Sequence, residues 1–293
     1  MTNKNNALIT EQRKWLHTEI IRTGTLAINS EGVATNADRG NKPSVAIASK
    51  LALRLMSETH ERQAGQTSGS MFEVLLAGFL RRTFPKLQHI RPGSWEIIQL
   101  GNRSSYKTSS FAQYEHLEYL KELTDTNTRL KTILGNDYMI APDVVVYRWP
   151  LDDEDINSSE LIVDDYTASI TELRTNNNTK PILHASVSAK WTMRSDRAQN
   201  SRTEALNLIR NRKGRVPNIV VVTGEPLPSR IASLALGTGD IDCMYHFALY
   251  ELIEAVDEYG YANEREDIIE QLDTLVAGKR LKDISDLPLD LCI

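Results

Sequence analysis

Three early stretches of the chain repeat apolar residues with the 3.6-residue period of a helix. From Glu11 to Arg22 the pattern puts Trp15, Leu16, Ile20 and Ile21 on one side and predicts a short amphipathic helix. Pro43 and Ser44 open a second helix running to about His60, with Ile47, Leu51, Leu55 and Met56 at helical spacing. After a turn-like stretch from Ala64 to Gly69, Met71 to Phe84 reads as a third helix with Phe72, Leu75, Leu76 and Phe79 inward, ended by Pro85. Trp95 to Leu100 suits a strand and Tyr114 to Leu123 a helix. In the centre the period shortens. Asp143 to Tyr147 is a Val-rich run introduced by Pro142, Ile182 to Lys190 alternates, and Asn218 to Thr223 is a third buried strand. Between them Asp196 is the expected N-cap of a helix from Arg197 to Asn211, closed by Gly214. A loop from Gly224 to Pro228 and two helices, Met244 to Tyr259 and Glu264 to Val276, complete the pass. Helices flanking a short mixed sheet place the chain in the α/β class.

Composition narrows the class. The 293 residues are 41% apolar, enough for one large core or two medium ones, and 25% charged, which excludes global disorder. Apolar runs such as Ile219 to Val222 fall far short of the ~18 residues of a crossing helix, and residues 1–6 have no apolar signal region. Cys243 and Cys292 are too few for a disulfide framework or a Cys-rich zinc site and read as inert thiols. The expectation is a soluble, cytoplasmic, globular protein. Its net charge of −5 argues against a polyanionic partner, but the charge is polarised. Lys190 to Arg215 holds eight basic residues and two acids, whereas Asp240 to Ile293 holds fourteen acids and four basic residues. Such a chain can attract phosphate locally while its bulk repels nonspecific polyanions.

Polar residues stand on two central strands where apolar ones are expected. Asp143 heads the Val-rich strand, and Ser188 and Lys190, two apart, emerge from one face of the next. Glu204 lies about two turns into the following helix, positioned to point back, and Glu73 on the third helix is a further candidate. Carboxylates such as Asp143 and Glu204 are hard oxygen ligands suited to Mg²⁺, and an ammonium beside a scissile phosphate stabilises charge in the transition state. The set therefore suits metal-assisted phosphodiester hydrolysis. The bland reading has Asp143 capping a strand, Lys190 reaching solvent and Glu204 in an ion pair. Next to Lys190 stand Arg194, Asp196 and Arg197. Arginine binds the O6 and N7 edge of guanine and aspartate accepts from the cytosine amino group, so this cluster matches a G·C-reading surface. His184 reads as a hydrogen-bonded core histidine and Trp191 as packing.

At these residues the sequence resembles the NgoMIV family of type II restriction endonucleases. The resemblance is carried by Leu183 to Thr192 with Arg194 to Asn200, by Asn211 to Arg215, by Leu236 to Gly239, by Tyr245 to Leu252 and by Leu281 to Asp290. Further matches lie at Gly65 to Gly69 and Leu87 to Gly93, so the similarity covers nearly the whole chain. It implies the restriction endonuclease-like fold as a single domain over 1–293. A helical part runs to about 90, a catalytic and DNA-reading core spans about 91–240, and a helical part occupies about 241–293. It implies Mg²⁺-dependent cleavage of duplex DNA at GCCGGC after the first G, leaving 5′-phosphates and four-base 5′ overhangs. Asp143 would be the principal metal ligand, with the backbone carbonyl of Ala189 and Glu204, one or two ions being bound per site. Lys190 would be the catalytic lysine, with Glu73 completing the acidic cluster. The wider superfamily has an acid two residues before the lysine; Ser188 stands there, and Glu204 supplies the carboxylate from the helix, as in this subgroup. Arg194, Asp196 and Arg197 would read the inner CCGG, Gln66 the minor groove, and Arg230 with Asp38 the outer pair. The family's serine near Asp38 is replaced by Gly40, which leaves the outer pair open. A palindromic site implies a two-fold homodimer, the family a homotetramer, a bacterial cytoplasm and a cognate methyltransferase in the same system. Two other readings stand beside it: a non-cleaving DNA-binding protein, for which intact Asp143, Lys190 and Glu204 are superfluous, and a repair or recombination nuclease, for which base-reading arginines are superfluous.

Overall fold

A computed structural model describes residues 6–56, 68–100, 107–126, 142–193, 195–237 and 239–293, without the side chains of residues 121, 124 and 195–198. The early helices follow the apolar period. α1 (Leu8–Arg22) buries Leu16 and Ile20. α2 (Lys42–Leu55) carries Pro43 in its first turn and is capped by Asn41, whose side chain accepts from Ser44 N at 3.0 Å. It stops at Leu55, short of the expected His60, because Met56 turns extended (φ −106°, ψ 133°). The turn expected from Ala64 lies mostly outside the described residues. α3 (Ser68–Thr83) buries Phe72, Leu75, Leu76, Phe79 and Leu80.

β1 (Trp95–Gln99) and α4 (His116–Thr126) precede the central strands β2 (Val144–Arg148) and β3 (Ile182–Lys190), separated by the single-turn α5 (Asp153–Ile156). α6 (Ser195–Asn211) then leads to β4 (Asn218–Thr223), and α7 (Pro228–Ala235) to β5 (Cys243–His246). α8 (Leu249–Ala262), α9 (Glu266–Ala277), β6 (Leu281–Asp283) and α10 (Leu287–Asp290) end the chain. The six described strands form one sheet in sequence order. β1, β2 and β3 pair antiparallel, while β3 to β6 run parallel, joined through helices. The mixed α/β sheet expected from the sequence is present. β2 and β4 are buried on both faces, which explains their continuous Val runs. On β3 even the polar row is covered: Ser186 and Ser188 are buried.

Three expectations change. Met244 to Tyr259 is not one helix: Met244 and Tyr245 belong to β5, where they register with β4 and β6, and α8 starts only at Leu249. A short buried apolar run reads equally as strand or helix until its neighbours are known. β6 and α7 were not anticipated, although Pro228 is a helix-opening signal. α6 begins at Ser195, so Asp196 lies in its first turn rather than at the N-cap. Among the described residues no helix is long and apolar enough to cross a membrane.

Candidate active site

Asp143 stands one residue before β2, where the antiparallel register brings it beside Ser188 at the end of β3. Its main-chain carbonyl accepts from Leu100 N at 2.9 Å, which fixes the backbone. Its Oδ2 gathers three donors: Ala189 N at 2.7 Å, Lys190 Nζ at 2.7 Å and Ser188 Oγ at 3.4 Å. Pro142 makes this possible. Lys190 O faces β4, accepting from Thr223 Oγ1 at 2.8 Å and Gly224 N at 3.1 Å. By strand alternation the N–H and C=O of Ala189 then face the β2 side, where extending the register by two residues beyond its last pair, Val144 with Val187, sets Pro142 opposite. Proline has no N–H to offer the Ala189 carbonyl. A strand end is thereby built with a carboxylate, an ammonium and a main-chain oxygen released from the ladder.

Glu204 comes from α6, whose Ser201 lies with its Oγ 3.3 Å from Ser188 Oγ. Glu204 is buried, and burial together with the charge of Asp143 pushes its carboxyl up to about 8 against the pull of Lys190. Glu73, on α3, is also raised, first by burial and then by Asp143; Gln99 Nε2, donating to Oε2 at 2.9 Å, and Lys190 oppose the shift. Glu204 and Glu73 thus each feel Asp143 and Lys190, in surroundings that penalise uncompensated charge. Among the described residues no three His, Cys, Asp or Glu side chains come close enough to hold an ion together. A metal there would rest on two carboxylates and a main-chain oxygen, a hard, oxygen-only set that fits Mg²⁺ with waters filling the remaining positions.

The candidates for reading DNA are placed unevenly. Arg194 and Gln66, like the side chains of Asp196 and Arg197, lie outside the described residues. Asp38 and Arg230, 192 residues apart, are brought together: Arg230 Nη2 donates to Asp38 Oδ2. Gly40 N donates to Asp38 Oδ1 at 3.2 Å. Sequence reasoning missed Glu225, which is fully buried with Oε2 3.8 Å from Arg230 Nη1. The signal was a charged residue just beyond an apolar strand, in Thr223-Gly224-Glu225.

The residues read as structural are structural. Trp191 packs against Phe72 and Phe247, with ring centroids at 5.0 and 5.3 Å. His184 Nε2 lies 2.7 Å from Leu291 O, its ring against Trp95 and Phe84, and burial lowers its pKa to about 4. Cys243 and Cys292 are free, half-buried thiols.

The model of the NgoMIV restriction enzyme family matches residues 16–293. The type II restriction enzyme NgoMIV of Neisseria gonorrhoeae is 50% identical over 289 residues, which make up 98% of this chain and 100% of that protein. Among solved structures, the type IIF restriction endonuclease Bse634I with cognate DNA aligns over 83% of this chain and 91% of its own, at 16% identity and a TM-score of 0.33. The pre-specific BsaWI–DNA complex aligns over 68% of this chain and 65% of its own, at 10% identity and a TM-score of 0.27. Superpositions this loose carry no argument about function.

Proposed function

Because the chain belongs to the NgoMIV restriction enzyme family and is a type II restriction enzyme, a site-specific deoxyribonuclease, we propose that it cleaves duplex DNA at GCCGGC after the first G. The products are 5′-phosphates on four-base 5′ overhangs. The observation that carries the reading is the meeting of Lys190 Nζ with Asp143 Oδ2 at 2.7 Å, beside a buried Glu204 that senses both.

Asp143, Glu204 and the carbonyl of Ala189 are the groups that would hold one or two Mg²⁺ ions. When bound, the ion supplies Lewis acidity, offsetting charge on the phosphate and making water more acidic. The chain's own residues do the rest. Lys190 spends one of its three N–H bonds on Asp143 and keeps two for a phosphate oxygen and the attacking water. As the water oxygen bonds to phosphorus it gives up one proton to solvent and the bond from phosphorus to the 3′-oxygen breaks; the 3′-oxygen takes a proton from solvent and the phosphate stays on the 5′ side. The ammonium offsets charge that grows on the phosphate oxygens in that transition state. Ser188, donating to Asp143, steadies the carboxylate, and Glu73 completes the acidic surroundings.

Sequence selection falls to Arg194, Asp196 and Arg197 for the inner CCGG, by guanine and cytosine edge contacts in the major groove. Gln66 probes the minor groove, and Arg230 with Asp38 contacts the outer pair. A palindrome is cut on both strands by a two-fold dimer, and we extend this to the tetramer that the family resemblance implies. The whole chain acts as one nuclease domain in a bacterial cytoplasm, alongside a methyltransferase that protects the same site. Digestion of a plasmid of known sequence, with Mg²⁺ and with a chelator, tests the proposal directly. Sequenced ends should begin with CCGG after a single G in Mg²⁺, with no cutting in chelator; ends at unrelated sequences, or cutting without the ion, overturn it.

A further inference from the structure

Glu225 lies two residues past the end of β4, in a position where a carboxylate is expensive. Its residue is 0% exposed, and an isolated carboxylate in such surroundings costs stability that an apolar side chain would not. Among the described residues its ion-pair partner is Arg230, at long range. Oε2 accepts from Met193 N at 2.7 Å, Oε1 accepts from Leu227 N at 3.2 Å, and Arg230 Nη1 stands 3.8 Å from Oε2. Burial pushes the carboxyl up to about 7, with Met193 N–H, Arg230 and Leu227 N–H opposing and the charge of Asp38 adding to the rise. One oxygen therefore faces both the backbone just after the Lys190 strand end and the guanidinium of α7.

The surroundings tie these pieces further. Gly224 N and Thr223 Oγ1 both donate to Lys190 O, and Thr223 Oγ1 accepts from Glu225 N at 3.0 Å. A Cβ at Gly224 would lie 2.6 Å from Trp191 Cε3, so the loop runs flush against the strand extension. Asn36, fully buried and two residues from Asp38, donates through Nδ2 to Gly224 O at 2.8 Å. The guanidinium of Arg230 is thus held between two carboxylates, Asp38 at the surface and Glu225 beneath. Segments far apart in sequence, around residues 36–38, 190–193 and 230, meet on this one loop.

We propose that Glu225 is a positioning residue that locks Arg230 and the chain following Lys190 into one unit, holding the reader of the outer base pair in register with the cleavage site. The inference rests on the proposed contact of Arg230 with that pair. Glu225 touches no DNA itself; it acts through Arg230 and Met193.

The test compares cleavage of three duplexes: GCCGGC, the same site with its outer pair exchanged, and one with an altered CCGG. Wild type, Glu225→Gln, Arg230→Ala and the double variant are assayed, with melting temperature recorded for each. Gln is isosteric: its one carbonyl oxygen keeps the acceptor for Met193 N, while its Nε2 takes the place of the acceptor of Leu227 N, which the melting temperature monitors. Glu225→Gln should lower discrimination at the outer pair by about 10-fold while leaving discrimination within CCGG intact, on the scale of one base contact. In the Arg230→Ala background the same change should have no further effect, because the two act as one. Where Glu225→Gln proves unstable, Glu225→Asp, which shortens the reach by one methylene, should show the same selective loss. Outer-pair discrimination unchanged in Glu225→Gln while Arg230→Ala loses it overturns this inference alone. Equal losses on all three duplexes with a lower melting temperature also overturn it, since that is a purely structural role. Unchanged discrimination in Arg230→Ala removes the proposed reading of Arg230 and takes the inference with it.

Discussion

Two partly buried charge clusters, each with one buried carboxylate, are made of the same ingredients and behave oppositely. In one, Arg13 of α1 meets Glu251 of α8 and Asp283 of β6 with both ends of its fork. Nη1 and Nη2 donate to Glu251 at 2.9 and 2.6 Å, and Nε and Nη2 to Asp283 at 2.9 Å each. Asp283 also accepts from Leu249 N and Ser285 N, both at 3.0 Å. Burial works against these carboxylates, yet Arg13 holds both below their ordinary range and is itself held more firmly protonated. In the other cluster Lys190 faces Asp143, Glu204 and Glu73, and it cannot compensate them: Glu204 is driven up to about 8. The first cluster is satisfied by the chain alone and fastens α1 to α8 and β6. Among the described residues the second is short of positive charge, and an arriving phosphodiester deepens the shortage unless a cation comes with it. What distinguishes the structural cluster from the proposed catalytic one is whether the described residues supply their own countercharge.

The largest effect expected is on cleavage. Lys190→Ala should cost at least about 10³-fold in the rate of cutting supercoiled plasmid while gel-shift binding to the same site persists. Cutting at the wild-type rate would return Lys190 to the class of ordinary surface-reaching lysines. Next comes the satisfied cluster. Arg13→Ala strands two carboxylates and should destabilise the protein by about 3 kcal/mol in urea unfolding. Activity per folded molecule should stay the same; a loss of turnover without a loss of stability would erase the distinction between the clusters.

Acid sharpens the comparison from another side. His246 is fully buried, its Nδ1 accepting from Ala248 N at 3.1 Å, and burial lowers its pKa to about 4. With the folded value below the ordinary 6.5, the native state binds fewer protons than the unfolded one. Its contribution is fully present above pH 6.5 and is lost as pH falls towards 4, about 2 kcal/mol by pH 5. Asp283 and Glu251 have the same sign one window lower, their contribution being lost below the ordinary carboxylate range. Melting temperature should therefore fall between pH 7 and pH 5, and His246→Asn should flatten that slope; an unchanged slope would remove the histidine from the account. The smallest effect on stability belongs to Glu204→Gln. Removing an uncompensated carboxylate should leave metal-free stability unchanged or raise it by about 1 kcal/mol while cleavage is lost. A marked drop in melting temperature would make Glu204 a structural residue like Asp283.

How much of this was legible depended on the range of the interaction. Helical period located α1 and α3, and β-branched runs located β2, β3 and β4, because both signals are local. The same reasoning failed at Met244, where strand or helix was decided by pairing with β4 and β6. Asp143, Ser188 and Lys190 were visible as polar residues on or beside apolar strands, and Glu204 by its place about two turns into the following helix. Glu225 shared the first of these signals but lacked a spacing to a known partner.

From its residues alone the chain declared an α/β architecture, a family resemblance and the side chains able to meet a phosphate and a metal, since these follow from composition, local period and motif. Only the folded chain decided that Asp143 Oδ2 collects Lys190 and Ala189, that Pro142 leaves the Ala189 carbonyl without a ladder donor, and that Asp38, Glu225 and Arg230 form one cluster. The physical reason is that charge and hydrogen bonding act over a few ångströms of space. Residues 192 positions apart enter that range only when strands and helices have been packed.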